Sequence, residues 1–83
     1  LENKRAINEI IEQAKKIEDN NWNNLECVTS IDLLLTSEDY SSTKDNTLEK
    51  NFIKLKEKIE DVNSLTKSLL SKLVKDNEHE SIH

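Results

Sequence analysis

The residues best suited to chemistry stand together at the end of the sequence, His79-Glu80-Ser81-Ile82-His83. On a helix, His79 and His83 are one turn apart on the same face, so both imidazoles can reach one metal ion. Glu80 between them has the right type for a general base acting on metal-bound water. Two other groups deserve a chemical reading. Cys27 is the sole thiol, and a nucleophilic thiol needs a base or positive charge beside it. Neither histidine is near it in sequence, so Cys27 is expected to behave as a small buried hydrophobe. Ser30 lies in a helical apolar register and is expected inside a helix.

The terminal pattern is similar to the H-E-x-x-H motif of zinc metalloproteases. The resemblance covers five residues. In that family the motif helix lies inside a larger domain, and a third ligand follows downstream; here the sequence given stops at His83. Lys75-Asp76-Asn77-Glu78 offers no apolar face to enclose a site. The expectation is a polar tail over 77–83, with no catalytic residue, no metal and no cofactor. Ser30-Ile31-Asp32-Leu33 resembles the Asp-Ser-Leu of acyl carrier proteins, but Thr29 stands where that family has its aspartate and the preceding glycine is missing. The chain is therefore expected not to be an enzyme.

The elements that position these residues follow from an absence. The 83 residues contain no glycine and no proline, where average usage supplies about ten. Glycine is the usual helix stop and proline the usual breaker. A chain with neither has few means of turning sharply, so an all-α fold of a few long helices is expected. With 34% hydrophobic against 35% charged residues, the core is thin for a self-sufficient small domain. The net charge is −5, concentrated in residues 25–46, which carry one lysine against five carboxylates. No basic stripe exists, so nucleic-acid binding by this chain alone is not expected. No apolar run exceeds Leu33-Leu34-Leu35, which excludes membrane insertion as an expectation. A lone cysteine and the lack of an N-x-Ser/Thr sequon lean towards an intracellular setting.

One helical domain is expected over 1–83. Leu48, Phe52, Leu55, Ile59, Val62, Thr66, Leu69 and Leu73 alternate by four and three, an apolar heptad seam that places a helix over 47–76. Asn46 and Glu49 form a candidate capping box at its start. Ile7, Ile10, Ala14, Ile17, Asn21, Asn24, Val28, Ile31 and Leu35 keep the same rhythm over 2–36. The run Asp19–Asn24 has poor helix propensity, so this helix is either continuous or split at 20–24. The polar stretch 37–46 reads as a loop. The architecture is a long antiparallel helical hairpin. The seam resembles that of SNARE helices, but its one polar member in the second helix is Thr66, and the central Gln or Arg of that family is missing.

The hairpin has more apolar surface than one seam absorbs. Ile11, Trp22 and Leu25 flank the first seam on one side, Cys27 and Leu34 on the other. Ile53, Leu70 and Val74 flank the second on one side, Leu65 on the other. Burying an aliphatic side chain is worth roughly 1.5–3 kcal/mol, so these residues call for further helices. Ile11, Trp22, Leu25, Leu34, Ile53, Leu65, Leu70 and Val74 are accordingly the expected partner-binding residues, with Trp22 the anchor. The function expected is a protein–protein interaction module, a helical subunit or scaffold completing a bundle as a homo-oligomer or within a hetero-complex. The alternative is a small acidic immunity or antitoxin-type protein that neutralises a basic toxin or enzyme.

Overall fold

The computed structural model describes residues 4–41 and 45–81, with the side chains of Ser41 and 76–81 left out. Helix α1 runs Lys4–Leu35, α2 is the short turn Glu38–Ser41, and α3 runs Asn46–Ser81. No strand occurs among the described residues. α1 and α3 pack antiparallel into a rod of 63 × 16 × 16 Å, and the fold is an all-α helical hairpin.

α1 is continuous through 20–24, so the alternative of a split there does not hold. Asn21 is buried at 5% exposure and bonded across the hairpin. That tertiary contact outweighs the weak local propensity of the asparagine run. α1 then ends without a left-handed residue; no described residue has positive φ. Side-chain hydroxyls take over the role glycine usually plays. The Thr36 hydroxyl donates to the Leu33 carbonyl at 3.0 Å and the Ser37 hydroxyl to the Leu34 carbonyl at 2.6 Å. Ser37 Oγ also accepts from the Tyr40 amide at 3.4 Å, which starts α2 inside the expected loop.

α3 is capped one residue earlier than the expected box. Asp45 Oδ1 accepts from the amides of Thr47 at 2.9 Å and Leu48 at 3.2 Å, the geometry of an N-cap carboxylate. At the other end α3 continues beyond Asp76 to Ser81, five residues past the expected end of the helix. The segment lacks an apolar face, but nothing in it terminates a helix.

The seam itself differs from expectation in a regular way. Let Ile7, Ala14, Asn21, Val28 and Leu35 on α1, and Phe52, Ile59, Thr66 and Leu73 on α3, be heptad position a. Every a residue is buried or half-buried. The expected second row, position d, is Ile10, Ile17, Asn24 and Ile31 with Leu48, Leu55, Val62 and Leu69. Every one of these is exposed. The helices meet instead through the adjacent row, position e: Ile11, Glu18, Leu25 and Asp32 against Glu49, Lys56, Asn63 and Leu70, all buried or half-buried. A core of Ile11, Ala14 and Leu70, with Ile7 and Leu73 against it, closes the open end. Val28 and Phe52 are the buried apolar residues nearer the loop.

Candidate interaction face

The shift from d to e decides which surface is left open. In an antiparallel hairpin related by a local two-fold normal to its plane, the d rows of both helices fall on the same face. The grooves agree with this geometry. Ile10 and Ile17 share one with Leu69, and Ile31 shares another with Leu48 and Leu55. One face of the rod therefore carries seven large aliphatic residues, each 36–50% exposed, interrupted only by Asn24. Together they equal about three fully exposed aliphatic side chains, or roughly 5–10 kcal/mol of burial not realised within the chain.

The outer edges of this face continue its character. The row beyond d on α1 is Ala6, Gln13, Asn20, Cys27 and Leu34, without a charge; on α3 it is Asn51, Lys58, Leu65 and Lys72. Among the described side chains, two lysines are the only charged ones in these four rows; Asp76, the next d position of α3, is not among them. The opposite face has a different composition. Its rows hold Glu18, Asp32, Glu49 and Glu60 with Lys15, Lys56 and Lys67. The Lys56 ammonium donates to Asp32 Oδ2 at 2.8 Å across the hairpin. That hydrogen bond first, and the carboxylate's charge second, raise the Lys56 pKa above its ordinary value of 10.5, with a smaller rise from Glu60.

The expected partner-binding residues divide between these surfaces. Ile11 and Leu70 are buried in the hairpin core, because they belong to the e row that the helices use for each other. Leu25 is half-buried in the same row. Leu34 and Leu65 lie at the edges of the apolar face at 65% and 69% exposure. Trp22, Ile53 and Val74 are exposed on the polar face, where Trp22 lines a groove with Glu18, Asp19, Leu25, Asn63 and Lys67. The residues that sequence reasoning left out are the d row itself, which it assigned to the hairpin's own seam.

Cys27 is exposed, which corrects the expectation of a buried thiol. No group of three or more metal-ligating side chains occurs among the described residues. The His79 and Glu80 side chains and His83 lie outside the described residues. No described helix is long and apolar enough to cross a membrane. Comparisons with protein-family models, curated proteins and solved structures found no significant match for this chain.

Proposed function

We propose that this chain is a non-enzymatic protein–protein interaction module, a helical hairpin that forms part of a larger helical bundle. The observation that carries the reading is the apolar d-row face, which runs most of the length of α1 and α3. The chain exposes 6735 Å², against about 5,100 Å² for a compact monomer of its mass. An elongated two-helix rod has that excess because it encloses no interior; a bundle of four helices does. Contiguous apolar surface on this scale marks an interaction site in soluble proteins.

The polar e-row contact supports the same reading. A hairpin whose only task was to fold alone would gain more by closing its aliphatic d rows than by closing rows with Glu18, Asp32, Glu49, Lys56 and Asn63. Such residues tolerate a half-wet groove, where charges pair and still reach water. The d rows gain nothing from that setting.

The test is the native size of the chain in extracts of its own cells, read by blue-native electrophoresis of an epitope-tagged copy. An interaction module migrates in an assembly, and Val62→Glu in the middle of the face releases it. Migration of the wild-type chain as a free 9.6 kDa monomer would rule the reading out.

A further inference from the structure

We infer that the occupant of the apolar face is a second copy of this chain, giving an antiparallel four-helix bundle of two hairpins; this rests on the reading above and names its partner. Three observations carry it. The first is charge. The chain is acidic at −5, so two copies repel over most of their surface. From Ile10 to Leu34 on α1 and from Leu48 to Lys72 on α3, the d rows and the rows beyond them hold no carboxylate; Glu9 borders the groove of Ile10, Ile17 and Leu69, and Asp76 is the next d position of α3. Over that length two copies meet without opposing acidic groups. A basic partner, by contrast, would find no counter-charge here.

The second is area. From Ile10 to Leu34 the face is about 36 Å long at 1.5 Å per residue, and it is one hairpin wide, 16 Å. That footprint of roughly 600 Å² approaches the ~800 Å² per partner of a stable dimer once side-chain relief is included. A single foreign helix, about 10–12 Å across, would leave part of the 16 Å width open.

The third is symmetry. The face consists of heptad rows from two antiparallel helices that share its grooves: Ile10 and Ile17 with Leu69, Ile31 with Leu48 and Leu55. Such a surface is complementary to itself under a two-fold axis, as an isologous interface requires. The edge rows choose between the possible axes. Placing α3 over the other copy's α3 would oppose Lys58 and Lys72 to themselves. Placing α1 over the other copy's α3 sets them against the uncharged row from Ala6 to Leu34. The two-fold therefore runs along the rod, with both α1–α3 connections at the same end.

The experiment is multi-angle light scattering with far-ultraviolet circular dichroism on the purified 83-residue chain at about 100 µM, where a Kd of 10 µM still leaves mostly dimer. The expected mass is twice that of the chain, at full helicity. Val62→Glu should weaken the dimer at least about 100-fold, because it places a carboxylate in the apolar contact of each copy. Trp22→Glu on the opposite face should leave the mass unchanged. A poorly helical monomer would overturn the second copy as occupant while leaving the interaction reading intact, since the missing helices would then belong to another protein. A fully helical monomer would overturn both. A dimer lost in Trp22→Glu but kept in Val62→Glu would overturn the assignment of the face.

Discussion

The Asn21 side-chain amide donates to the Thr66 hydroxyl at 3.0 Å, and the same hydroxyl donates onward to the Val62 carbonyl at 2.7 Å. Both residues are at position a near the middle of their helices, and both are buried. The pair completes a chain of donors and acceptors, and no described buried side-chain N or O atom lacks a partner. A polar layer in an otherwise apolar seam penalises any sliding of α1 along α3, because a one-heptad shift would bury each group against a hydrocarbon.

Breaking this pair from one side is expected to cost more than replacing it. Thr66→Val leaves the Asn21 amide buried without its acceptor, and the expected loss is about 1–3 kcal/mol. Asn21→Leu with Thr66→Val together should restore most of it. Urea unfolding of the four chains of that double-mutant cycle measures the coupling, expected near 1 kcal/mol. Additive single effects would show that the two side chains do not act together.

Much of this architecture is legible in the residues, and the remainder has definite physical reasons. The a rows are visible because no alternative phase of the helix places Ile7, Ala14, Val28 and Leu35 together. The choice between d and e is not visible at the open end of the hairpin, where both rows carry aliphatics: Ile10 beside Ile11, Leu69 beside Leu70. A stripe of a, d and e is wider than one helix can cover, and the sequence pattern alone ranks d first because it is drier. One signal pointed the other way. Asp32 and Lys56 in the two e rows have opposite charge, and only an a/e contact brings them together. The start of α3 was one residue off because Asp45 and Asn46 are both good caps, and a capping box from Asn46 to Glu49 reads as well on paper as an Asp45 cap.

The α2–α3 connection hangs on Asp45 and Tyr40. The Tyr40 hydroxyl accepts from the Asp45 amide at 3.0 Å and donates to the Asp45 carbonyl at 3.1 Å, while the Asp45 carboxylate caps α3. Asp45→Ala should lower stability by about 1 kcal/mol through the lost cap. Tyr40→Phe removes a donor and an acceptor together, and about 0.5–1.5 kcal/mol is expected. Thermal melts followed at 222 nm check both. Asp45→Asn, which keeps a capping oxygen, should retain most of the wild-type stability.

The Lys56–Asp32 bridge gives a pH dependence of defined sign. The Lys56 pKa is raised in the fold, so its stabilisation is complete below 10.5 and is lost as pH rises through the higher folded value. Both side chains are well exposed, at 39% and 45%, so the effect is small and screened by salt. The measurement is the difference in melting temperature between wild type and Lys56→Met from about pH 9 to 12, which cancels the titration of other groups. The gap should narrow above 10.5. A gap that stays constant would mean that the ion pair adds nothing to the fold.

Cys27 supplies a check on how the two copies lie. It sits in the uncharged edge row of α1. With α1 over the other copy's α3, the two Cys27 residues are on diagonally opposed helices, and the thiol's neighbours across the interface are on α3 near Lys58. Mild oxidation should therefore fail to link two copies through Cys27. A short maleimide–succinimide linker should join Cys27 to Lys58 between copies, identified by mass spectrometry on mixed light and heavy-isotope chains. Ready disulfide formation between the two copies within a native dimer would place α1 over α1 and reverse the assignment of the axis.

The sharpest contrast available lies between two adjacent leucines on α3. Leu70 is 8% exposed in the core with Ile11 and Ala14, whereas Leu69 is 48% exposed on the apolar face. The two share a residue type, a helix and a neighbourhood, so helix propensity cancels between Leu69→Ala and Leu70→Ala. Leu70→Ala removes a filled position from the hairpin's own seam, and a loss of about 2–5 kcal/mol is expected. Because that contact lies within one chain, the loss should be the same at every protein concentration. Leu69→Ala acts through the contact between copies, so its effect on melting temperature should shrink as the protein is diluted below the dimer's dissociation constant. Denaturation of both variants across a hundredfold range of concentration separates the two roles. If Leu69→Ala were the more damaging at the lowest concentration, the seam would be the a/d contact after all, and the open face would have to be sought on the e rows.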